Sequence, residues 1–415
     1  MNDIIIKIQV SLKILINWIE KNGWVSYDPN DVKGHPFFIA LLSKQNFFKK
    51  LLLFPLYSIY IITPVTLRYI LKIKPTITPG GMGFLAAGYI ELYKATKDTQ
   101  NLKKAKQILG WLKNNRIDRY KDYCWGFPFD WQSTVLIPKN TPITYTTVEC
   151  VKPFVEYYKI TKDKDYLNVA ISACKFIDKN IDKKQHSNNG ISFSYTPLDD
   201  AEVINSNAIV ASVLLEVGQI AGIKEFIEIA DKIILFVLAE QLSDGSWYYF
   251  SRRYKNGSSI IDNYHTAMVL QSLTKIILLK GDSKKRDTYA ESLIKGLKFY
   301  LDNFFTSKGI PKITPDKVYP INIASCAEAI TLFSQVDIVK REVPPDLFRR
   351  IQEVNKKLIL WTIDNMQDPN GAFIERKYSF KKIKLYSIRW GQAFMLRSMA
   401  LSLLFFTSTT KNGTN

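Results

Sequence analysis

The chain has 415 residues, of which 47% are hydrophobic, so it can bury a large core. Its 57 Lys and Arg outnumber 38 Asp and Glu, and the net charge of +19 favours polyanions such as anionic lipid or acidic glycan. A lysine-rich composition without any binding role is the alternative. No basic stretch with interleaved aromatic residues occurs, so nucleic acid is the least favoured partner. The four cysteines lack C-x-x-C spacing and histidines number three, so neither a metal nor another cofactor is predicted.

The chain begins with an amphipathic helix, predicted over 3–21, that carries Lys7 and Lys13 inside its apolar run. No small-residue cleavage site follows, so it does not resemble a signal peptide. Residues 35–79 break the later pattern and are predicted to be an insertion. Within them, 51–67 is uncharged and at the short limit for a bilayer span. A helix packed on the outside of the fold is favoured there over a segment at the membrane surface.

A turn built on glycine beside an aromatic or apolar residue recurs along the chain, at Gly23, Gly126, Gly190, Gly245, Gly309 and Gly371. Helix-start signals follow these turns near Gly83, Thr146, Asn205, Asp262, Asn322 and Tyr386. A recurrence of about 60 residues indicates one supersecondary unit used repeatedly. Six turns and six helix starts predict six helical hairpins closed into a ring, an all-α (α/α)6 toroid with short β-like loops on one rim.

The helices of this ring alternate between two kinds. Amphipathic outer helices are predicted at 3–21, 101–117, 166–181, 224–241, 287–305 and 346–366. The inner helices, which follow the glycine turns, are apolar on nearly all sides and must be buried on both. The first outer and last inner helix should pack side by side and close the ring. The sequence therefore predicts one domain over 1–406 and a disordered polar tail over 407–415.

All inner helices start after the glycine loops, so their N-termini are predicted to meet at one rim. Each N-terminus offers unpaired N–H groups and a partial positive charge, which suits anionic groups. The long loops 118–145, 184–204, 243–261 and 367–385 lie on the same rim. We therefore look for functional residues in those loops and in the helix turns that follow them.

The loop 118–145 contains CWGFPFDW. Its aromatic residues and single carboxylate suit stacking on sugar faces with a hydrogen-bonded hydroxyl. Trp125, Asp130 and Trp131 are accordingly predicted to bind substrate. A hydrophobic plug that seals the loop onto the ring is an equal alternative.

The loop 184–204 leads through SYTPLDD into AEVINSN. Adjacent carboxylates favour protonation of one of them, which a general acid requires. Asp199 is predicted to be catalytic, and Tyr195, Asp200 and Asn207 to contact substrate. The alternative is turn and cap chemistry, for which Asp and Asn are the usual residues. Asn205 is predicted to be a helix cap in either case.

The loop 243–261 leads from QLSDGSWYYF into IIDNYHTAMVL. Asp262 lies at a cap position and His265 in the first helical turn, where the positive end of a helix favours a neutral imidazole. This pair is the best candidate for proton transfer, with Asp262 as a plain N-cap the alternative. Trp247 is predicted to be a sugar platform and Asn263 a further substrate contact.

The last repeat supplies YSIRWGQAF. Arg389 at the start of an apolar helix needs a partner, and its guanidinium suits bidentate contact with a carboxylate. It is predicted to bind an acid group of the substrate, with Trp390 beside it. Pairing with a structural carboxylate, Asp28 or Asp31, across the ring closure is an equal alternative.

Together, YDPND, CWGFPFDW, SYTPLDD, DGSWYY, IDNYHT and IRWGQAFM resemble helical-toroid proteins encoded in bacterial exopolysaccharide and O-antigen clusters. The resemblance covers residues 24–395. That family is similar to six-hairpin glycosidase-like folds, including the C-terminal region of glucuronyl C5-epimerases. It implies a role in polysaccharide biosynthesis or processing and leaves the reaction open among lyase, epimerase and hydrolase.

The expected substrate is an acidic or lipid-linked glycan, handled in the cytoplasm at or near the inner membrane surface. One alternative is a non-catalytic glycan-binding or scaffolding component of a membrane-associated polysaccharide assembly complex. A weaker alternative is an isoprenoid-handling toroid, because QLSDGSW resembles the Q-W turn of terpene cyclases. The D-x-D-D and D-D-x-x-D motifs of those enzymes are missing from this sequence, so the shared turn indicates architecture only.

Overall fold

Two concentric rings of helices form the protein in the computed structural model, which describes residues 2–42, 59–60, 63–281 and 284–412. In chain order the helices are α1 (Asn2–Asn22), α2 (Pro36–Leu42), α3 (Pro64–Ile70), α4 (Pro79–Thr96), α5 (Thr99–Asn114), α6 (Thr144–Thr161), α7 (Lys164–Asn180), α8 (Ile204–Ala221), α9 (Lys224–Ala239), α10 (Asn263–Lys280), α11 (Lys284–Asn303), α12 (Ile323–Gln335), α13 (Pro345–Met366) and α14 (Phe394–Asn412). Helices α4, α6, α8, α10, α12 and α14 form the inner ring, and α1, α5, α7, α9, α11 and α13 the outer ring. The predicted (α/α)6 toroid is confirmed.

The two kinds of helix differ in how much of their surface they bury. Outer helix α5 buries one stripe at helical spacing, Ala105, Ile108, Leu109 and Leu112, and exposes its lysines. Inner helix α8 buries every residue from Ile204 to Gly218, because it packs against outer helices on one side and the ring interior on the other. Among the described residues, α8 is the helix long and apolar enough to cross a membrane, and 83% of it is buried inside the fold.

The connections differ at the two poles of the ring. Each of the first three inner helices passes into the next outer helix through a two-residue turn, of which the first residue is left-handed: Lys97, Lys162 and Gly222. Asp98 and Asp163 complete two of these turns by accepting a hydrogen bond from the first turn of the next helix. Outer helices return to the inner ring through long loops, so the long loops share one pole, called here the loop rim.

The loop rim carries short antiparallel strand pairs. They are β1 (Trp131–Gln132) with β2 (Leu136–Ile137), β3 (Lys183–Gln185) with β4 (Ile191–Phe193), and the three-stranded β5 (Ile321–Asn322), β6 (Arg376–Lys377) and β7 (Lys382–Ile383). Four of the six glycine turns lie within six residues of the end of an outer helix, at Gly23, Gly245, Gly309 and Gly371. At Gly371 φ is +97°, and a Cβ there would lie 2.4 Å from the Ile14 carbonyl oxygen of α1. Gly23 has φ +71° but open space around it, so its requirement for glycine is conformational only.

The ring closes where the chain ends meet, with α1 packed against α14 as predicted. Ser26 Oγ accepts a hydrogen bond from the Ile388 amide at 2.9 Å, and Ser11 donates to Gln367, the residue after α13, at 2.8 Å. Helix α14 continues through Asn412, beyond the predicted boundary at 406, while 413–415 lie outside the described residues. The tail predicted to be disordered from 407 is thus helical as far as 412.

The predicted insertion supplies α2 and α3, which pack on the rim around a small cluster of Val32, Phe38 and Leu67. Most of the uncharged segment 51–67 lies outside the described residues. Arg68 of α3 is fully buried and binds the Asp31 carboxylate through Nε at 2.8 and 3.1 Å. Burial nevertheless outweighs this guanidinium and raises the pKa of Asp31 to about 6. A buried charge pair therefore anchors the insertion.

The opposite pole, where the inner helices end, carries a belt of alternating charges around a cavity of about 420 Å³. Glu156 of α6 binds Lys94 of α4 and Lys159 at 2.7 Å each, and Lys275 of α10 at 3.7 Å. Lys275 also binds Glu216 of α8 at 2.7 Å. Although burial opposes it, the three ammonium groups lower the pKa of Glu156. The belt links four consecutive inner helices electrostatically.

Polar side chains also fill the ring axis between the two poles. Tyr145 of α6 and Tyr264 of α10 join their hydroxyls across the interior at 2.9 Å. One turn further from the rim, Arg397 of α14 pairs with Glu328 of α12, which also accepts a hydrogen bond from Gln271 at 2.7 Å. The interior thus consists of two separate cavities with a hydrogen-bonded layer between them.

Candidate active site at the loop rim

A cavity of about 360 Å³ opens at the loop rim, near the lower end of the usual range for small-molecule sites, about 300–1,000 Å³. It is lined by Asn30, Phe127, Trp131, Ser133, Tyr145, Tyr195, Asn205, Tyr249, Phe250, Ser258, Ile260, Asp262, Tyr264, His265, Arg389 and Trp390. Of the predicted site residues, the structure brings together Trp131, Tyr195, Asp262, His265, Arg389 and Trp390 here. Inner helix N-termini surround the cavity, as the topology predicts.

His265 and Asp262 form a hydrogen-bonded pair on the cavity wall. Asp262 is the N-cap of α10 and accepts the His265 amide through Oδ1 at 2.9 Å. Its Oδ2 lies 2.6 Å from Nδ1 of the same imidazole. A carboxylate can only accept, so Nδ1 carries a proton, and in the neutral form of the imidazole Nε2 on the far edge of the ring is an acceptor. The cap role and the orienting role are therefore performed by one side chain.

Two tyrosine rings pack beside this imidazole. The ring centroid of Tyr249 lies 4.3 Å from that of His265, and the centroid of Tyr264 lies 4.8 Å from it. Burial raises the pKa of Tyr145, Tyr249 and Tyr264 well above the usual value for tyrosine, and it raises the pKa of Tyr195 as well. All four stay protonated at neutral pH. One hydroxyl of the Tyr145–Tyr264 pair donates to the other, and the remaining hydroxyls can donate hydrogen bonds to a ligand.

Two buried polar atoms of the cavity wall have no hydrogen-bond partner among the described residues: Trp131 Nε1, a donor, and Asn205 Oδ1, an acceptor. The amide nitrogen of Asn205 contacts only the sulfur of Met268, at 3.6 Å. An unsatisfied buried polar group costs about 1–3 kcal/mol, so such atoms indicate where a ligand or water binds. The prediction of Asn205 as a cap is wrong, because Val203 is the N-cap of α8 and Asn205 is the second helical residue.

Arg389 lines the cavity but is already paired. Its Nε and Nη2 donate to the two carboxylate oxygens of Asp28 at 2.6 and 2.7 Å. The guanidinium lies between the rings of Phe127 and Trp390, at 4.9 and 4.7 Å from their centroids. Although burial opposes it, Asp28 raises the pKa of Arg389. The alternative, pairing with Asp28 across the ring closure, is confirmed, and the predicted contact with a substrate acid group stays a prediction.

Two predicted sugar platforms lie in the core instead. Trp125 and Trp247 are 0% and 2% exposed. Their indole N–H groups donate to Leu112 O at 3.0 Å and Val237 O at 2.9 Å, in the last turns of α5 and α9. These carbonyls lack partners inside their own helices. The tryptophan after each outer helix therefore caps that helix, and the prediction that it binds sugar is wrong.

The carboxylates of the 184–204 loop are used by the loop itself. Asp199 accepts hydrogen bonds from the amides of Tyr195 and Ala201 at 3.1 and 3.0 Å. Asp200 is exposed and pairs with Lys184 at 3.1 Å. Neither aspartate lines the cavity. This corrects the prediction of Asp199 as a catalytic acid and of Asp200 as a substrate contact, and favours the turn chemistry considered beside it.

Three other residues predicted to contact substrate make structural hydrogen bonds. Asn207 binds both backbone groups of Phe193, with its Oδ1 accepting the amide at 2.7 Å. Asn263 accepts the hydroxyl of Tyr300 in α11 at 2.7 Å and is fully buried. Asp130, just before β1, accepts the amide of Lys139, which follows β2, at 2.7 Å. None of the three lines the cavity, so their predicted substrate-binding role is corrected to a structural one.

The residues that sequence reasoning missed share a position. Tyr145, Asn205 and Tyr264 are each the second residue of an inner helix, and all three line the cavity. The repeat alignment alone could have identified this position. Tyr249 comes from a loop and carries no comparable signal.

Within the described ranges, no group of three or more His, Cys, Asp or Glu residues could hold a metal ion. All four cysteines are buried, and burial raises the pKa of Cys124 and Cys326 to about 12. The polar side chains that line the cavity include the His–Asp pair, tyrosine and serine hydroxyls and the Asn205 amide.

No protein-family model matches this chain, and no curated protein matches it significantly. Solved structures do resemble it. The cellobiose 2-epimerase of Bacillus thermoamylovorans superposes with a TM-score of 0.62 at 12% identity, covering 79% of this chain and 87% of that one. A GH76 α-mannanase of Bacteroides thetaiotaomicron gives 0.60 at 14% identity, covering 80% and 88%.

A GH76 α-1,6-mannanase of Salegentibacter gives a TM-score of 0.58 at 14% identity, covering 80% of this chain and 92% of that one. That structure is an inactive variant with two adjacent aspartates replaced, in complex with α-1,6-mannotriose. At these identities the likeness shows a shared fold, the (α/α)6 toroid.

Proposed function

We propose that this chain is a carbohydrate-active enzyme that moves a proton on a sugar residue, as an epimerase or a lyase does. The observation that carries the proposal is the His265–Asp262 pair on the cavity wall, with Nδ1 held at 2.6 Å and Nε2 left as an acceptor. The fold supports a carbohydrate substrate, because the similar toroids include an epimerase and two mannanases. The aromatic cavity wall suits sugar rings.

In the proposed reaction, Nε2 of His265 takes a proton from a sugar carbon next to a carbonyl or carboxyl group. The electron pair of the broken C–H bond moves into an enolate, whose oxygen accepts a hydrogen bond from a cavity donor such as the Trp131 indole. Epimerisation results when a water molecule protonates the opposite face of that carbon and the hydroxide that forms takes the proton from His265. Elimination results when the neighbouring C–O bond breaks and the leaving oxygen takes its electron pair and the proton from His265.

Hydrolysis is less well supported. It uses two carboxylates about 5–10 Å apart on either side of the bond that breaks. Among the described residues that line the cavity, Asp262 is the only carboxylate, and it is bonded to His265. Asp199 and Asp200 are adjacent in the sequence, but both lie outside the cavity. A carboxylate pair that cleaves a glycoside has to lie inside it.

We propose an acidic or lipid-linked glycan as the substrate, in polysaccharide biosynthesis on the cytoplasmic side of the membrane. The net charge of +19 and the resemblance of the sequence motifs support this assignment. Since Arg389 is paired with Asp28, an acid group would be bound by amides at the inner helix N-termini.

A non-catalytic glycan-binding role is the second candidate. The unpaired donor on Trp131 and acceptor on Asn205 would match one sugar hydroxyl each without any reaction. An isoprenoid ligand is not supported, because the wall carries His, Asp, Asn and Arg side chains rather than an aliphatic lining.

The test is proton exchange with solvent. The protein is incubated in D₂O with a panel of reducing and uronate-containing oligosaccharides, and deuterium on sugar carbon is followed by NMR. We expect incorporation or elimination with the wild type, and a loss of about 100-fold or more for His265→Ala. His35→Ala, a histidine outside the cavity, is the matched control and should retain the activity.

The other outcomes separate the candidates. Cleavage without deuterium on carbon would indicate a hydrolase. Saccharide binding without any turnover would indicate the binding role, with Asn205→Ala weakening it. Exchange that His265→Ala leaves unchanged would refute the assigned base.

A further inference from the structure

We propose that a surface patch beside the cavity mouth docks this protein onto an anionic lipid bilayer. The rim patch, as we call it, consists of the outward face of α3, the two lysines that follow α3, and the tip of the β6–β7 hairpin. Its residues are Val65, Tyr69, Ile70, Lys72, Lys74 and Phe380. The proposal concerns where the protein acts and does not require the proton-transfer chemistry.

The apolar part of the rim patch is unusually exposed. Helix α3 buries Leu67 and Arg68 against the rim, while Tyr69 and Ile70 are 81% and 66% exposed. Phe380 at the hairpin tip is 80% exposed. A single exposed apolar side chain needs no explanation, but neighbouring ones on one helix face indicate an interaction surface.

The charges around these side chains select the partner. Lys72 and Lys74 are exposed directly after α3, and the hairpin segment 376–384 contains five Lys or Arg residues. Neither 63–78 nor 376–384 contains an Asp or Glu. Apolar side chains bordered by cations match the headgroup layer of an anionic membrane, where they enter the interface and the lysines bind phosphate groups.

The two parts of the rim patch are held together by side chains beneath it. The Tyr60 hydroxyl donates to the Glu375 carboxylate, with distances of 3.1 and 3.2 Å, and β6 starts at the next residue. The guanidinium of Arg68 lies 5.4 Å from the centroid of the Tyr60 ring. The Tyr60 side chain therefore links α3 to the residue that precedes β6.

This surface borders the cavity. Arg68 donates to the Asp28 carbonyl at 2.8 Å, and the carboxylate of Asp28 holds Arg389 in the cavity wall. On the other side, β5 pairs with β6, and Asn322 of β5 accepts a hydrogen bond from Trp390 at 3.2 Å. Docking through the rim patch thus brings the cavity mouth to headgroup level. If the proposed function holds, this position suits a glycan that is still attached to a lipid.

The test is flotation of the full chain with vesicles of phosphatidylcholine alone or mixed with phosphatidylglycerol. We expect binding to the mixed vesicles that weakens as salt is raised. Lys72→Gln/Lys74→Gln should lower the partition constant about 30-fold, since each lysine near the surface contributes about fivefold. Tyr69→Ser/Phe380→Ser should reduce binding at every salt concentration.

Matched controls lie away from the rim. Lys103→Gln/Lys106→Gln changes two exposed lysines of outer helix α5, and Leu278→Ser changes an exposed leucine, 46% exposed, near the opposite pole. Both should bind vesicles like the wild type. His265→Ala should also bind normally, so a failure of the proposed chemistry leaves this test intact. All changed side chains are exposed, and circular dichroism verifies folding.

Three results would overturn the proposal. The first is a wild type that does not float with anionic vesicles, and the second is equal binding by the patch variants and the wild type. The third is binding to a soluble acidic polysaccharide, such as polygalacturonate, without binding to vesicles. That result would assign the rim patch to the glycan.

Discussion

Replacing Asp28 by Asn should destabilise the protein at the ring closure, because the change leaves the guanidinium of Arg389 buried without its counter-ion. The two side chains are 2% and 4% exposed, and both carboxylate oxygens are bonded, at 2.6 and 2.7 Å. Removing one partner of a buried ion pair costs about 3–5 kcal/mol. For 415 residues, an unfolding entropy of about 2.1 cal/mol/K per residue converts this loss into a Tm lowered by about 3–6 °C.

Scanning calorimetry at pH 7 measures the change. Asp364→Asn is the matched control, because Asp364 pairs with Lys7 on the surface and such pairs contribute about 0–1 kcal/mol. The double variant Asp28→Asn/Arg389→Met removes both charges and should recover most of the lost stability. A Tm of Asp28→Asn within about 1 °C of the wild type would refute the argument that this pair closes the ring.

Three further changes test the rest of the framework. Glu156→Gln should lower the free energy of unfolding by about 2 kcal/mol at pH 7 and by less at pH 3. The lowered pKa of Glu156 gives stability that is present above about pH 4.5 and is lost as the pH falls. Urea titrations at both pH values measure this loss, and an equal loss at both would contradict the lowered pKa. Asp31, with a pKa raised from 3.8 to about 6, has the opposite effect, because the stability of the wild type falls as the pH rises between those values. The unfolding free energy of Asp31→Asn should therefore gain up to about 3 kcal/mol relative to the wild type from pH 4 to pH 7. A relative loss over that range would be inconsistent with the raised pKa. Gly371→Ala should lower the Tm more than Gly23→Ala. Both changes strain a positive φ, but only the change at Gly371 places a Cβ 2.4 Å from the Ile14 carbonyl oxygen. Equal losses of Tm in calorimetry would argue against this close approach.

The bounds of the helices could be predicted closely, because the spacing of apolar residues in the sequence matches the helix surface that is buried. The inner helix predicted to start near Thr146 starts at Thr144, and the outer helix predicted at 346–366 spans Pro345–Met366. An inner helix must be apolar on both sides and an outer helix on one, and the sequence records that difference directly. The six-hairpin ring follows from counting the repeats.

A site residue could be predicted only where its position in the repeat determines whether its side chain faces the cavity. Asp262 is the N-cap of an inner helix and His265 lies in the first turn of that helix, and both line the cavity. Trp125 and Trp247 lie beside glycine turns, where an aromatic residue can face either the cavity or the end of an outer helix. Composition does not distinguish the two directions, because the deciding factor is a carbonyl in the last turn of the outer helix that has no amide partner within that helix.

The layer in which the hydroxyls of Tyr145 and Tyr264 meet at 2.9 Å has a consequence for how a polymer could be handled. Below it, Arg397 and Glu328 close the axis a second time. These two layers of side chains lie between the cavity at the loop rim and the cavity at the opposite pole. If the proposed function holds, a glycan therefore enters and leaves through the loop rim instead of threading along the axis of the ring.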